Sequence, residues 1–137
     1  MEKIRLEAAI KMGMGDCSHS VTPKFGLVAK DIRSNYIKVR YFTPWKTHPS
    51  LAVTGSQCLA SCALTPGTVA YSLMNCSDSS PVQVFLEHPM GKMGVIIDYE
   101  IDKNEFVHKS AGLIRTARKL ACGELFVSKK IWDGERV

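Results

Sequence analysis

His48-Pro-Ser-Leu-Ala-Val-Thr-Gly-Ser-Gln-Cys-Leu-Ala-Ser-Cys-Ala-Leu64 decides how this chain is built. It lies within a longer run, Pro49 to Ser77, that holds no Asp, Glu, Lys, Arg or His, although charged residues make up 23% of the chain. A helix from about Gly55 to Leu64 is small and apolar nearly all round, the pattern of a buried helix. Thr54 and Gln57 fit a capping box, in which each side chain satisfies a backbone amide of the opening turn. Gly55 leaves those amides open to a ligand, and together with Ser56 and the positive end of the helix dipole they favour a carboxylate or phosphate. Taken alone, a capped Thr-Gly helix start more often binds only water.

Composition narrows the class. A length of 137 residues suits one domain, 1–137, with a real core and no room for a second. The net charge of +5 is spread along the chain without interleaved aromatics. That pattern argues against nucleic acid and suits an acidic small molecule or simple solubility. Five cysteines, an odd number without a pairing pattern and with no secretory signal ahead of them, point to a reduced, cytoplasmic protein. Cys58 and Cys62 share a helix face, but ligand partners at suitable spacing are missing, so core packing is expected and no metal. Polar residues and Pro66-Gly67 interrupt the uncharged stretch well before the roughly 18 apolar residues a membrane span needs.

Taken in order, Met1 to Met12 reads as an amphipathic helix with Ile4, Ala8 and Met12 on one face, ended by Gly13 and Gly15. Strands are expected over Phe25–Ala29 and Asn35–Thr43, the second alternating Ile37, Val39 and Tyr41 against Lys38, Arg40 and Phe42. A loop carrying Trp45, Lys46 and His48 leads to the central helix, which places His48 near its start. Thr65-Pro66-Gly67-Thr68 stops that helix, and Val69–Leu73 resumes as a strand or edge segment. Val82–Glu87 and Gly94–Ile101 read as a hairpin, Asp102-Lys103-Asn104 as a turn and Phe106–Thr116 as another strand. Leu120–Val127 is expected to continue the sheet. The fold class is α+β: six to eight strands, mainly antiparallel, wrapped like a barrel around a central buried helix.

Several spaced motifs then resemble one family. They are Ile4-Arg-Leu-Glu-Ala8 through Met12-Gly-Met-Gly-Asp16, Val21-Thr-Pro-Lys24, His48-Pro-Ser-Leu-Ala-Val-Thr-Gly55 and Thr65-Pro-Gly-Thr-Val-Ala70. Glu87-His-Pro-Met-Gly91, Arg115-Thr-Ala-Arg118 and Gly123-Glu-Leu-Phe-Val127 follow. In this order they resemble the PrpF-type isomerases (methylaconitate, methylitaconate and oxalomesaconate isomerases), which share the fold of diaminopimelate epimerase. The resemblance implies small unsaturated di- or tricarboxylates whose double bond is moved or rotated by proton transfer at carbon, with no cofactor. Such chemistry needs a base beside an acidic C–H and donors for the charge that develops on the neighbouring carboxylate.

By the same resemblance the chain matches only the second half of a protein two to three times longer. Thr54 stands where the fold's close relatives carry a catalytic cysteine, and a threonine hydroxyl cannot serve as the base. The family's proton-transfer lysine and cysteine belong to the first half. Lys24, Lys46 and Cys58 do not match them, and the catalytic residues stay unassigned. His48, Thr54, Gly55, Ser56 and Gln57 are the candidate substrate-binding residues, with a small polycarboxylate as ligand. His88, Gly91, Arg115 and Arg118 have plainer structural or surface roles. The implied function is a separate C-terminal half of an isomerase, inactive alone. The alternative is a non-catalytic, self-associating binding domain of the same fold. Either reading expects a second copy or a companion chain over the uncovered face.

Overall fold

The computed structural model describes residues 1–75, 79–103 and 105–135. It is an α+β fold in which a curled five-stranded mixed sheet forms half a barrel around one helix. The strands are β1 (Phe25–Lys30), β2 (Tyr36–Phe42), β3 (Val82–His88), β4 (Gly91–Asp102) and β5 (Glu105–Leu113), hydrogen-bonded in chain order. Every neighbouring pair is antiparallel except β2 and β3, which run parallel. Parallel neighbours need a long crossover, and here it holds α2 (Val53–Leu64) and a 3-10 turn (Tyr71–Leu73). The uncharged run of the sequence is therefore this crossover.

Period-two alternation decides which face of the sheet meets α2. Ile37, Val39 and Tyr41 of β2, Val82, Val84 and Leu86 of β3, and Met93, Val95 and Ile97 of β4 are all buried on one side. Against them α2 sets Ala60, Ala63 and Leu64, with Leu51, Ala70 and Met74 extending the cluster from the flanking loops. Small residues let the helix axis come close to the sheet. On the other face of the sheet, Tyr36 and Phe85 stack at 4.6 Å under the guanidinium of Arg33, which also pairs with Asp31 and Glu87.

Several expectations are corrected. The central helix is not buried all round: Val53, Thr54 and Cys58 are exposed and Cys62 is half-buried, because five strands cover only one side of it. Cys58 is thus no core residue. Val69–Leu73 forms no strand, since Thr68 N–H and Tyr71 N–H close successive turns onto Thr65 and Thr68 carbonyls. Among the described residues no helix or strand follows Leu113, and Leu120–Val127 joins no sheet. There Leu120, Leu125 and Phe126 are more than four-fifths exposed. The described strands number five. The expected 102–104 turn includes Asn104, which lies outside the described residues.

The N-terminal helix, α1 (Glu2–Lys11), is held in an unexpected way. Its apolar residues Ile4, Ile10 and Met12 are exposed, and the buried ones are Arg5 and Ala9. The Arg5 guanidinium donates to the carbonyls of Cys17, Ser20, Thr22 and Pro23 and pairs with Glu2 at 2.6 Å. One side chain thereby gathers the whole 17–23 loop against the helix. The helix ends as read from the sequence: Gly13 takes φ +75°, its N–H bonds the Ile10 carbonyl, and Met14 N–H reaches back to Ala9. That is a Schellman stop, which glycine enters without a Cβ penalty. Replacing Arg5 by Leu should release α1 and the 17–23 loop. Amide exchange would then lose protection over residues 2–23 by at least tenfold while β3 and β4 stay protected. Unchanged protection of α1 would show that Arg5 does not hold it.

Candidate functional site

A turn at the end of β2 brings the site residues together. Thr43 N–H donates to the Lys46 carbonyl at 2.8 Å, Phe42 bridges Thr47, and His48 N–H donates to the Tyr41 carbonyl at 2.7 Å. The chain is folded back beside its own strand, so the His48 ring stands edge-on to Tyr41 with centroids 6.3 Å apart. Ser50 N–H donates to His48 Nδ1 at 3.1 Å, and Leu51 drops into the core. The loop then enters α2.

The opening turn of α2 differs from the expected capping box. Its N-cap is Ala52, in extended conformation and without a side-chain bond, and Thr54 lies inside the helix with its side chain exposed. Gln57 donates instead to the Ala111 carbonyl of β5 at 3.3 Å, fastening the helix to the sheet edge. Ser56 is fully buried, and its hydroxyl donates to the Val53 carbonyl at 2.6 Å. Gly55 also has another reason than the one first read for it. A Cβ there would fall 2.5 Å from the Tyr41 hydroxyl, so the glycine makes room for a buried ring. Burial, and then the Cys58 charge, pushes the Tyr41 phenol up, which keeps it neutral.

The physical result still suits an anion. The first amides of a helix have no partner within it. Here no side chain caps them, no acidic residue sits in the first turn, and Thr54 exposes that turn to solvent. The opposite end of α2 borders a cleft of about 690 Å³, lined by Leu64, Pro66, Tyr71, Tyr99 and Glu100. Despite its size that cleft faces the carbonyl end of the helix, which is unfavourable to an acid.

Of the five candidates, His48, Thr54 and Gly55 gather around Tyr41 and the start of α2. Ser56 and Gln57 serve the helix's own anchorage. Lys24 bonds the Val21 carbonyl at 2.8 Å, while Arg115 and Arg118 are exposed beyond β5. His88 was read as structural, yet it belongs to this cluster: it ends β3, is 8% exposed, and its Nε2 lies 3.2 Å from Ser50 Oγ. Burial first, then the charges of Arg40 and His48, holds its pKa below the ordinary 6.5. Only the Glu87-His-Pro-Met-Gly91 motif hinted at it, since the contact spans 38 residues.

The family model described as PrpF protein matches residues 1–128. This chain belongs to the PrpF family. Among the relatives it resembles are a 4-oxalomesaconate tautomerase of Pseudomonas putida, 33% identical over 98% of this chain, and a (4E)-oxalomesaconate Delta-isomerase of Novosphingobium sp. (strain KA1), 34% identical over 93% of it. The chain spans only 36% and 35% of these two relatives' lengths. A crystal structure of a methylitaconate-delta-isomerase superposes with a TM-score of 0.63 over 83% of this chain and 35% of that one. At 19% identity that likeness concerns the fold. No helix of the described residues is long and apolar enough to cross a membrane.

The Tyr41–Gly55 contact is directly testable. Gly55→Ala forces a methyl against the ring and should cost about 1–3 kcal/mol, as overpacked cores do. Urea unfolding would show a lowered midpoint; an unchanged one would mean that the ring has room to move.

Proposed function

We propose that this chain is the carboxylate-binding, C-terminal portion of a PrpF-type isomerase acting on unsaturated di- or tricarboxylates by cofactor-free proton transfer. The observation that carries this reading is the start of α2: an uncapped, acid-free first turn, exposed at Thr54 and flanked by His48, within a chain of the PrpF family. Backbone amides held there would donate to the substrate carboxylate and to the enolate-like charge that grows on it during proton transfer. The rigid packing of Tyr41 on Gly55 fixes where those amides point.

The base is not assigned to this chain. Thr54 cannot act as one, and Lys24 is already bonded away from the cluster. The remaining length of a PrpF relative would supply it, on a companion polypeptide or a further part of the protein. Such a partner would also cover the exposed side of α2 at Val53, Thr54 and Cys58 and engage the apolar residues beyond β5. Self-association of two copies over the same face is the other way to bury it.

Thr54→Asp separates binding from folding. A carboxylate in the first turn stabilises a helix by about 0.3–1 kcal/mol, but it would repel an acid at the same amides. Aconitate at ten times its Kd should stabilise the parent by roughly 1.4 kcal/mol, and this gain should vanish in Thr54→Asp while the ligand-free variant melts no earlier. Equal stabilisation of both proteins, or of neither, would sink the binding reading. Incubated alone in D2O, the chain should put no deuterium into the acid; incorporation would show that it carries its own base.

A further inference from the structure

We propose that His88 is a proton-operated latch that ties the β3–β4 turn to the loop leading into α2. The argument starts from an obligatory donor. Met90 N–H points at His88 Nδ1 at 3.2 Å, and a backbone amide can only donate. Nδ1 is therefore the acceptor of a neutral ring, and the ring proton sits on Nε2. That proton faces Ser50 Oγ at 3.2 Å and donates to it. One neutral imidazole thus spans the two segments.

Protonation breaks this arrangement at Nδ1, while the Nε2–H bond to Ser50 Oγ depends on the ring staying where it is. A proton on Nδ1 would face the Met90 N–H, donor against donor. The new charge would also sit in a ring that is 8% exposed. Among the described residues, the titratable groups that act on it are both basic: Arg40, whose guanidinium donates to the Val39 carbonyl on β2 at 2.8 Å, and His48 on the lead-in loop. Glu87, the neighbouring residue on its own strand, is engaged by Arg33 on the opposite face of the sheet, and Lys92 across from it lies over the Tyr36 and Phe85 rings there. α2 itself contributes no charged side chain. Among the described residues no carboxylate reaches the charged ring, so burial drives it toward solvent, and its departure takes the Nε2–H away from Ser50.

Burial first, then the electrostatic effects of Arg40 and His48, lower the pKa of His88, which sets the sign. The latch is fully closed above about pH 6.5, where the open-state ring is also neutral, and it weakens as pH falls from there through the lowered value. The movable part is the loop that carries Ala52, whose carbonyl receives Ser56 N–H at 2.8 Å in the first turn of α2. This device goes beyond the isomerase reading and stands without it, because it requires no ligand.

Nuclear magnetic resonance of the full chain tests it. At pH 7.5 the imidazole nitrogen shifts should report a neutral ring protonated on Nε2. Between pH 7.5 and 5, exchange protection of the Met90 and Ser56 amides, corrected for intrinsic rates, should fall together. The fall should be about tenfold for each unit by which the ring's closed-state pKa lies below its open-state pKa, with Val39 and Val95 unchanged. His88→Gln, neutral throughout, should abolish the dependence. Ser50→Ala, which spares the ring and its burial, should leave Met90 responsive and make Ser56 insensitive. A ring protonated on Nδ1 at pH 7.5, a flat response in the parent, a parallel loss at Val39 and Val95, or an unaltered response in His88→Gln would each overturn the proposal.

Discussion

Everything in this structure depends on how closely α2 can lie against the strands. Ala60, Ala63, Ser56 and Gly55 present almost no side-chain height, while Ile37, Val39, Val84, Leu86, Val95 and Ile97 rise from the sheet to meet them. Bulk is placed on the strands and withheld from the helix, so that one helix can occupy the concave side of a curled sheet. The same shortage of side-chain height brings the Tyr41 ring onto the helix start. Packing and the candidate site are consequences of one close approach, and a larger residue anywhere along that face disturbs both.

Belonging to the PrpF family gives this geometry its chemical meaning, and the length comparison gives it its limits. A chain spanning about a third of its relatives keeps a hydrophobic cluster between its strands and α2. It lacks closure. β1 and β5 are sheet edges, and the outward face of α2 meets solvent at Thr54 and Cys58. In the proposed reading, a carboxylate held at the helix start would rest on fixed backbone dipoles, and the proton chemistry would come from whatever stands opposite.

Much of this was legible in the residues, and the misreadings have physical causes. Alternation in Tyr36–Phe42 and Val82–His88 reports a half-buried strand directly, since period two reflects burial on one face. The charge-free run announced a helix in contact with a core, but no local pattern says how many strands cover it, so Cys58 was expected inside. Arg5 defeated the reading of α1 because hydrophobic periodicity cannot foresee a guanidinium buried among carbonyls. At the site, Thr54 and Gln57 had the spacing of a cap, but Gln57 found a better acceptor at Ala111, 54 residues away. His88 was passed over for the same reason: its value lies in a contact with Ser50 that only the fold creates.

The single parallel pairing has a mechanical consequence. Between β2 and β3 the register comprises only Tyr36 with Phe85, Ile37 with Leu86 and Lys38 with Glu87, whereas β3 is paired with β4 along its full length from Val82–Ile97 to His88–Gly91. The domain is therefore a two-stranded ribbon and a three-stranded meander riveted along a short seam. α2 is the plate across that joint, helped by Arg33 on Glu87 and by His88 on Ser50. Strain applied between the two pieces concentrates at the seam, the line along which such a sheet would part.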